Sequence, residues 1–213
     1  TPFMVSEEVF SGLAGIVVPV RLSLWAQGRK QRTVEGPLLF THNGFSGPAA
    51  MEMSGHWAAA RDKPGCGISA DFMPQIKGDG IDFLFDPASV KRSIRNVVAH
   101  FLPERLATVL IEAAGIDTRL FTGEMGRNDR KALGGILRGC VLPVGDVMGY
   151  DKAEVTAGGV DLKELKGATL ESRLQEGLYF AGEVVDVDGR IGGFNLHWAW
   201  ASAVAAARAI ARK

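Results

Sequence analysis

The chain has 213 residues, 46% of them hydrophobic and 23% charged, which is enough for one large or two small domains with real cores and excludes a disordered chain. Twenty-four Lys and Arg balance twenty-four Asp and Glu, so there is no general basic field to collect nucleic acid or an anionic membrane, and the expected partner is a small molecule. Cys66 and Cys140 stand far apart with no Cys-x-x-Cys spacing, which argues against a disulfide framework or a zinc cluster and fits a reducing, cytoplasmic compartment.

The first part of the sequence reads as antiparallel β. Ile16 to Leu24 alternates in part, Ala26-Gln27-Gly28 makes a turn, and Thr33-Val34 and Pro37 to Thr41 continue the pattern. Pro48 suits the first position of a short helix through Ser54, because proline there gives up no needed hydrogen bond. Further strands are expected at about Gly67 to Phe72 and Gly80 to Phe85. Gly65-Cys66-Gly67-Ile68-Ser69-Ala70 is the nearest approach to a dinucleotide-binding glycine loop, but it leads into a strand rather than a helix, so it does not read as a phosphate site.

Asp86-Pro87 opens a different region. Val90, Ile94, Val97, Val98 and Phe101 recur at helical spacing, and after Pro103 so do Leu106, Val109, Leu110 and Ala113. Gly115 closes that second helix, and Asp129 to Leu137 is expected to form another. These helices at 87–140 sit between the β segment 1–86 and its continuation at about 141–154, as an insertion into a barrel-like subdomain.

The last portion, 155–213, carries the chemistry. Tyr179-Phe180-Ala181 reads as a short buried strand ending at Gly182-Glu183, and a carboxylate at the carboxyl end of a strand stands where open α/β sheets bind ligands. After Asp186 and Asp188, Gly192-Gly193 leads into a helix through Phe194, Asn195 and Leu196. The glycines let backbone approach a flat molecule, and the free N–H groups of the first turn add partial positive charge. The Ala-rich run Leu196 to Ala207 is too short to span a membrane and reads as a buried helix with Trp198 and Trp200 at its mouth. No secretory signal is visible at the start.

Four ordered motifs carry a resemblance: Leu38-Leu39-Phe40-Thr41-His42-Asn43-Gly44-Phe45-Ser46-Gly47-Pro48, Val155-Thr156-Ala157-Gly158-Gly159-Val160, Thr169-Leu170-Glu171-Ser172-Arg173, and the Gly182–Asn195 segment. Together they resemble the BaiN/YhiN-like two-dinucleotide-binding flavoproteins, which include aminoacetone oxidases and a bile-acid reductase. The resemblance implies an FAD-dependent oxidoreductase of mixed α+β and α/β class. An antiparallel β-barrel-like subdomain with a helical insertion would be followed by the carboxyl-terminal part of a Rossmann-like FAD-binding domain. It also implies that the amino-terminal half holding the ADP of FAD, with its G-x-G-x-x-G turn, lies outside this chain and is its partner.

On that resemblance Glu183, or otherwise Asp186, bonds the ribityl chain. Gly182, Gly192, Gly193, Phe194, Asn195 and Leu196 run beside the flavin, whose electron-rich edge faces the helix start. Gly158 and Gly159 either touch the cofactor or simply end a strand. His42 and Thr41 face the substrate or clamp a domain junction, and His197 stands near the ring or satisfies a local carbonyl. No Ser/His/Asp nucleophile set and no metal site is evident. The expected redox chemistry is two-electron transfer between a small organic substrate or NAD(P)H and an acceptor. A non-catalytic binding module that no longer holds flavin is the alternative, and colour after gel filtration separates the two.

Overall fold

The structure, a computed structural model, describes residues 1–5, 10, 12–78, 80–86 and 89–212. The chain divides into two compact units, Thr1–Tyr150 and Asp151–Lys213.

The first unit is built on β1 (Phe3–Val5), β2 (Val17–Ala26), β3 (Arg29–Thr41), β4 (Gly44–Ser46), β5 (Gly67–Asp71), β6 (Cys140–Leu142) and β7 (Val144–Val147). All pairings are antiparallel, in the order β6-β5-β2-β3-β4-β1-β7. Only Pro143 separates β6 from β7, yet they lie at opposite edges, so the sheet curls until its edges meet at that residue. Val18, Val20, Leu22, Leu24 and Ala26 of β2 face inward, which is the period-two pattern of a half-buried strand.

Inside the curl, Phe40 and Phe45 meet edge-on at 5.4 Å between ring centroids, and Phe10 lies 5.8 Å from Phe40 and 5.5 Å from Phe45. Gly44 is buried beneath β1, where a Cβ would run into the Phe3 carbonyl oxygen, and Gly47, with φ of 86°, starts α1 (Pro48–Ala58). A Cβ on Gly47 would come within 2.9 Å of the Pro37 carbonyl, so both glycines of the Thr-His-Asn-Gly-Phe-Ser-Gly-Pro string serve close backbone approach. Helix α1 buries Ala49, Ala50, Met53 and Trp57.

The excursion between β5 and β6 holds α2 (Ile94–Val98), α3 (Glu104–Ala113) and α4 (Arg127–Gly139). Its boundary at Pro87 lies outside the described residues. The helix expected from Val90 to Phe101 is only five residues long, because Ser93 caps it by accepting the Asn96 N–H, and Val90 and Phe101 are exposed. The strand expected at 80–85 is instead a 3-10 turn over Asp82–Phe85, which buries Ile81 and Leu84 three residues apart, a spacing that one turn satisfies. Two inward links hold the insertion to the sheet: the Phe72 N–H donates to the Leu137 carbonyl, and Arg138 pairs with Asp71.

Burial pushes the Cys140 thiol up to about 11, whereas Cys66 is only partly covered. At pH 8 only about one Cys140 in a thousand is thiolate, which is the reactive form. Iodoacetamide should therefore label Cys66 in the native protein and reach Cys140 only after unfolding; equal labelling of both would contradict the burial.

The second unit contains α5 (Phe194–Ile210) and a loop framework whose core is Leu165, Leu170 and Val185, with Val160, Phe180, Val187, Trp198 and Ala205 packed against it. Among the described residues it has isolated bridges in place of extended strands. The strand expected at Tyr179–Ala181 reduces to one bridge, Glu171 to Tyr179, and the expected burial of α5 is also corrected. Only Ser202 and Ala206 of α5 are buried, while Leu196 and Trp200 are 71% and 75% exposed, because this unit lays no sheet against the apolar face. No helix among the described residues is long and apolar enough to cross a membrane.

Candidate functional site

Within the second unit, the Val-Thr-Ala-Gly-Gly-Val segment lies alongside the Gly182–Asp186 segment. Val160 bridges Val185 in parallel, with the Val160 N–H donating to Val184 at 2.9 Å and the Asp186 N–H donating to Val160 at 3.0 Å. Gly159, at φ of 129°, sits where a Cβ would collide with the Val184 carbonyl, so it is a close-approach glycine. Gly158, at φ of 96°, has open space beside it. One carboxylate oxygen of Glu183 accepts the Thr156 N–H at 2.8 Å, which fastens the same two segments a second time. Asp186 is exposed, with its backbone in the ladder and its side chain outside it.

Gly182 turns at φ of 77° and both of its polar backbone groups are held by α5. Its N–H donates to Ser202 Oγ at 2.9 Å and its carbonyl accepts Trp198 Nε1 at 3.1 Å. Ser202, 1% exposed, donates its own hydroxyl hydrogen bond to the Trp198 carbonyl at 2.6 Å. Trp198 is thus a clamp on the Gly182 turn. Ser202 was not legible as a site residue; its signal is a lone hydroxyl one turn after Trp198 in an alanine-rich helix.

The start of α5 is bare. Gly192 and Gly193 have φ of 117° and 89°, no side chain caps the helix, and no acid stands in its first turn. Nothing lies within 4 Å of where a Cβ on Gly193 would point. Asn195 closes the approach loop by accepting the Gly189 N–H at 2.7 Å and donating to the Gly189 carbonyl at 3.1 Å. The Arg190 guanidinium lies 5.1 Å from the ring centre of the exposed Phe194, and Leu196 is likewise exposed. Aligned peptide dipoles and unshared N–H groups make such a terminus favourable for negative charge, and two glycines leave it open to a flat molecule.

The Thr169–Arg173 motif holds this framework from below. Glu171, 5% exposed, accepts Lys166 Nζ at 2.8 Å and the Gly177 N–H at 3.0 Å, and Ser172 Oγ accepts the Leu174 and Gln175 N–H groups, each at 3.1 Å. His197 is exposed one turn into α5, and its ring makes no hydrogen bond among the described residues. In the first unit, His42 is exposed in the turn between β3 and β4, where Thr41 Oγ1 donates to the Gly44 carbonyl at 3.1 Å. The second unit therefore brings together Gly158, Gly159, Gly182, Glu183, Asp186 and the start of α5, whereas His42 belongs to the other unit. Among the described residues no three His, Cys, Asp or Glu side chains cluster as metal ligands.

A sequence profile of the HI0933-like protein Rossmann domain matches residues 21–209. The chain is 38% identical over 204 residues to the ribosomal RNA dihydrouridine synthase of Escherichia coli K12, covering 94% of this chain and 48% of that protein. It is 31% identical over 208 residues to the Haemophilus influenzae protein of the same name, covering 98% and 49%. To the 3-dehydro-bile acid delta(4,6)-reductase of Clostridium scindens it is 28% identical over 213 residues, covering 98% and 52%. The chain spans about half the length of the curated relatives it matches.

Proposed function

The chain belongs to the HI0933-like Rossmann-domain family of FAD-dependent oxidoreductases, and we infer from this that the full-length protein holds FAD against the bare start of α5 and reduces a carbon–carbon double bond conjugated to a carbonyl. The observation that carries this reading is the glycine pair at φ of 117° and 89° before a helix with no cap and no first-turn acid. The residues present fit the flavin end of FAD, since a flat ring needs the missing Cβ atoms and an electron-rich edge needs the N–H groups.

Bound FAD supplies two-electron hydride transfer. The relatives' names support this substrate class. A uridine becomes dihydrouridine, and one of the two double bonds of a delta(4,6)-unsaturated bile acid conjugated to its 3-keto group is reduced, each by adding one hydride and one proton across an activated double bond. A reduced nicotinamide, NADH or NADPH, would lose the two electrons. On this reading Glu183 holds the ribityl chain with the oxygen that Thr156 does not take, Gly158 lines the open side, and Asn195 keeps the loop in register. His197, exposed one turn into α5, would deliver the proton. The exposed face of α5, with Leu196 and Trp200, would be covered by the remainder of the full-length protein in a cytoplasmic enzyme.

Gly193→Val tests the placement. In the full-length protein it should abolish flavin retention through gel filtration, because a branched side chain both strains a positive φ and fills the approach; normal flavin content would sink the reading. Glu183→Ala should weaken FAD binding by about 1–3 kcal/mol in equilibrium dialysis, the usual consequence of losing a charged hydrogen-bond acceptor. Undiminished affinity would remove Glu183 from the ribityl contact.

A further inference from the structure

The zero net charge of the whole chain conceals a division. From Pro87 to Cys140 there are nine Lys and Arg against five Asp and Glu, a net of +4, while the rest of the chain carries fifteen against nineteen, a net of −4. The helical insertion is therefore basic and the sheet and loop framework acidic. Within it, Arg95 pairs with Glu104 at 3.7 Å, Arg119 with Asp117 at 2.9 Å, and Arg138 with Asp71 at 3.4 Å. The other six, Lys91, Arg92, Arg105, Arg127, Arg130 and Lys131, have no ion pair among the described residues. Two of the local acids are engaged elsewhere, since Glu124 accepts the Phe121 N–H and Asp129 accepts the Gly126 N–H.

Backbone pairing gathers part of this charge. The Thr122 N–H donates to Arg92 at 3.0 Å and the Gly123 N–H to Val90 at 3.2 Å, so Lys91 and Arg92 lie beside the 121–126 connection that leads into Arg127. Phe121 stands on this ribbon 46% exposed. Arg127 and Lys131 are four apart on α4 and share a face. Lys131 and Asn128 also line an open groove of about 510 Å³ between α3 and α4, whose other walls include Ala113, Ala132 and Gly135.

We propose that the helical insertion is an RNA-docking module: Lys91, Arg92, Arg127 and Lys131 hold the phosphates of a single-stranded RNA segment, and Phe121 stacks one of its bases. Exposed cations around a solvent-facing aromatic ring are the physical requirements for single-strand binding; Lys30 over Trp25 and Arg190 over Phe194 have the same form, but the insertion alone joins it to a net positive charge. The choice of RNA rests on carrying the activity named for the two ribosomal RNA relatives to this protein.

The experiment uses the full-length protein, a fluorescently labelled single-stranded oligouridine RNA, and anisotropy titrations at several salt concentrations. The variant Lys91→Ala/Arg92→Ala/Arg127→Ala/Lys131→Ala should lower the slope of log affinity against log salt by about 3, the value for four phosphate contacts on a single strand. Phe121→Ala should weaken binding on the order of 10-fold with no change in that slope. Both variants should keep wild-type flavin content and wild-type reduction of a small cyclic enone, because none of these side chains belongs to the flavin framework. An unchanged slope, a wild-type protein that keeps flavin yet does not bind RNA, or displacement of the RNA by poly-glutamate at equal charge concentration overturns the proposal and leaves the flavin reading standing. The expected slope change in a protein that takes up no flavin upholds the docking module and strikes the flavin reading instead.

Discussion

Replacing Arg138 with alanine should cost the full-length protein about 3 kcal/mol of stability, read as a lowered midpoint in urea unfolding. The side chain is 9% exposed and lies 3.4 Å from Asp71, itself 10% exposed. Its guanidinium also donates to the carbonyls of Met73 at 2.9 Å, Ile76 at 3.3 Å and Gly78 at 2.5 Å. One planar fork thus ties the end of α4 to the loop that leaves β5, and truncation leaves a buried carboxylate and three carbonyls short of donors. Arg21, 3.2 Å from the other Asp71 oxygen, offsets part of the loss, which keeps the expected figure at the low end for a buried pair. Arg138→Lys should recover less than half, since an ammonium restores the charge but cannot span the same acceptors. An alanine variant within 0.5 kcal/mol of wild type would mean that this fork does not hold the insertion.

Gly159→Ala should be nearly as damaging, and its comparison with Gly158→Ala is the informative part. A methyl group at 159 meets the Val184 carbonyl oxygen, so the two segments must separate, breaking the Val160 ladder and moving Glu183 away from Thr156. A cost of about 2–3 kcal/mol and loss of flavin retention are expected, from backbone strain together with the lost hydrogen bonds. At 158 the methyl group enters open space and only the positive φ resists it, for about 1 kcal/mol, with flavin content largely preserved. Equal losses at the two positions would mean that φ alone explains the pair and that close approach contributes nothing.

The β framework was legible because its signals are local: β2 alternates in part, with Val18, Val20, Leu22, Leu24 and Ala26 all turned inward, and Pro48 marks the start of α1. The helical character of the insertion was likewise written in the spacing of Leu106, Leu110, Leu133 and Leu137. Short apolar runs were misread for a stated physical reason. Ile81 to Phe85 satisfies a strand pattern and a single turn alike, and only the neighbours decide. Alanine content in α5 reads as burial, yet the helix leaves Leu196, Trp200 and Val204 exposed, because burial depends on what packs against a helix and not on its own composition. At the site, the glycines and Glu183 stood out by type, whereas the grip of Trp198 and Ser202 on Gly182 depends on a contact between residues 16 and 20 positions apart, which only folding supplies. Counting charge over the whole chain hid the basic insertion, because the sum averages two regions of opposite sign.

Ala70 of β5 faces Cys140 of β6 across one rung of the sheet, so the chain that departs beyond Asp71 comes back almost to the point it left. The stretch between is nevertheless bound in, because Ile94, Leu106, Leu110, Leu133 and Leu137 share one hydrophobic core with Leu24, Ile68 and Ala70 of the sheet. Departure and return at one rung mean that a change in the length of the 72–139 stretch leaves the pairing partners of β5 and β6 the same, while its cost falls on the core that the two share.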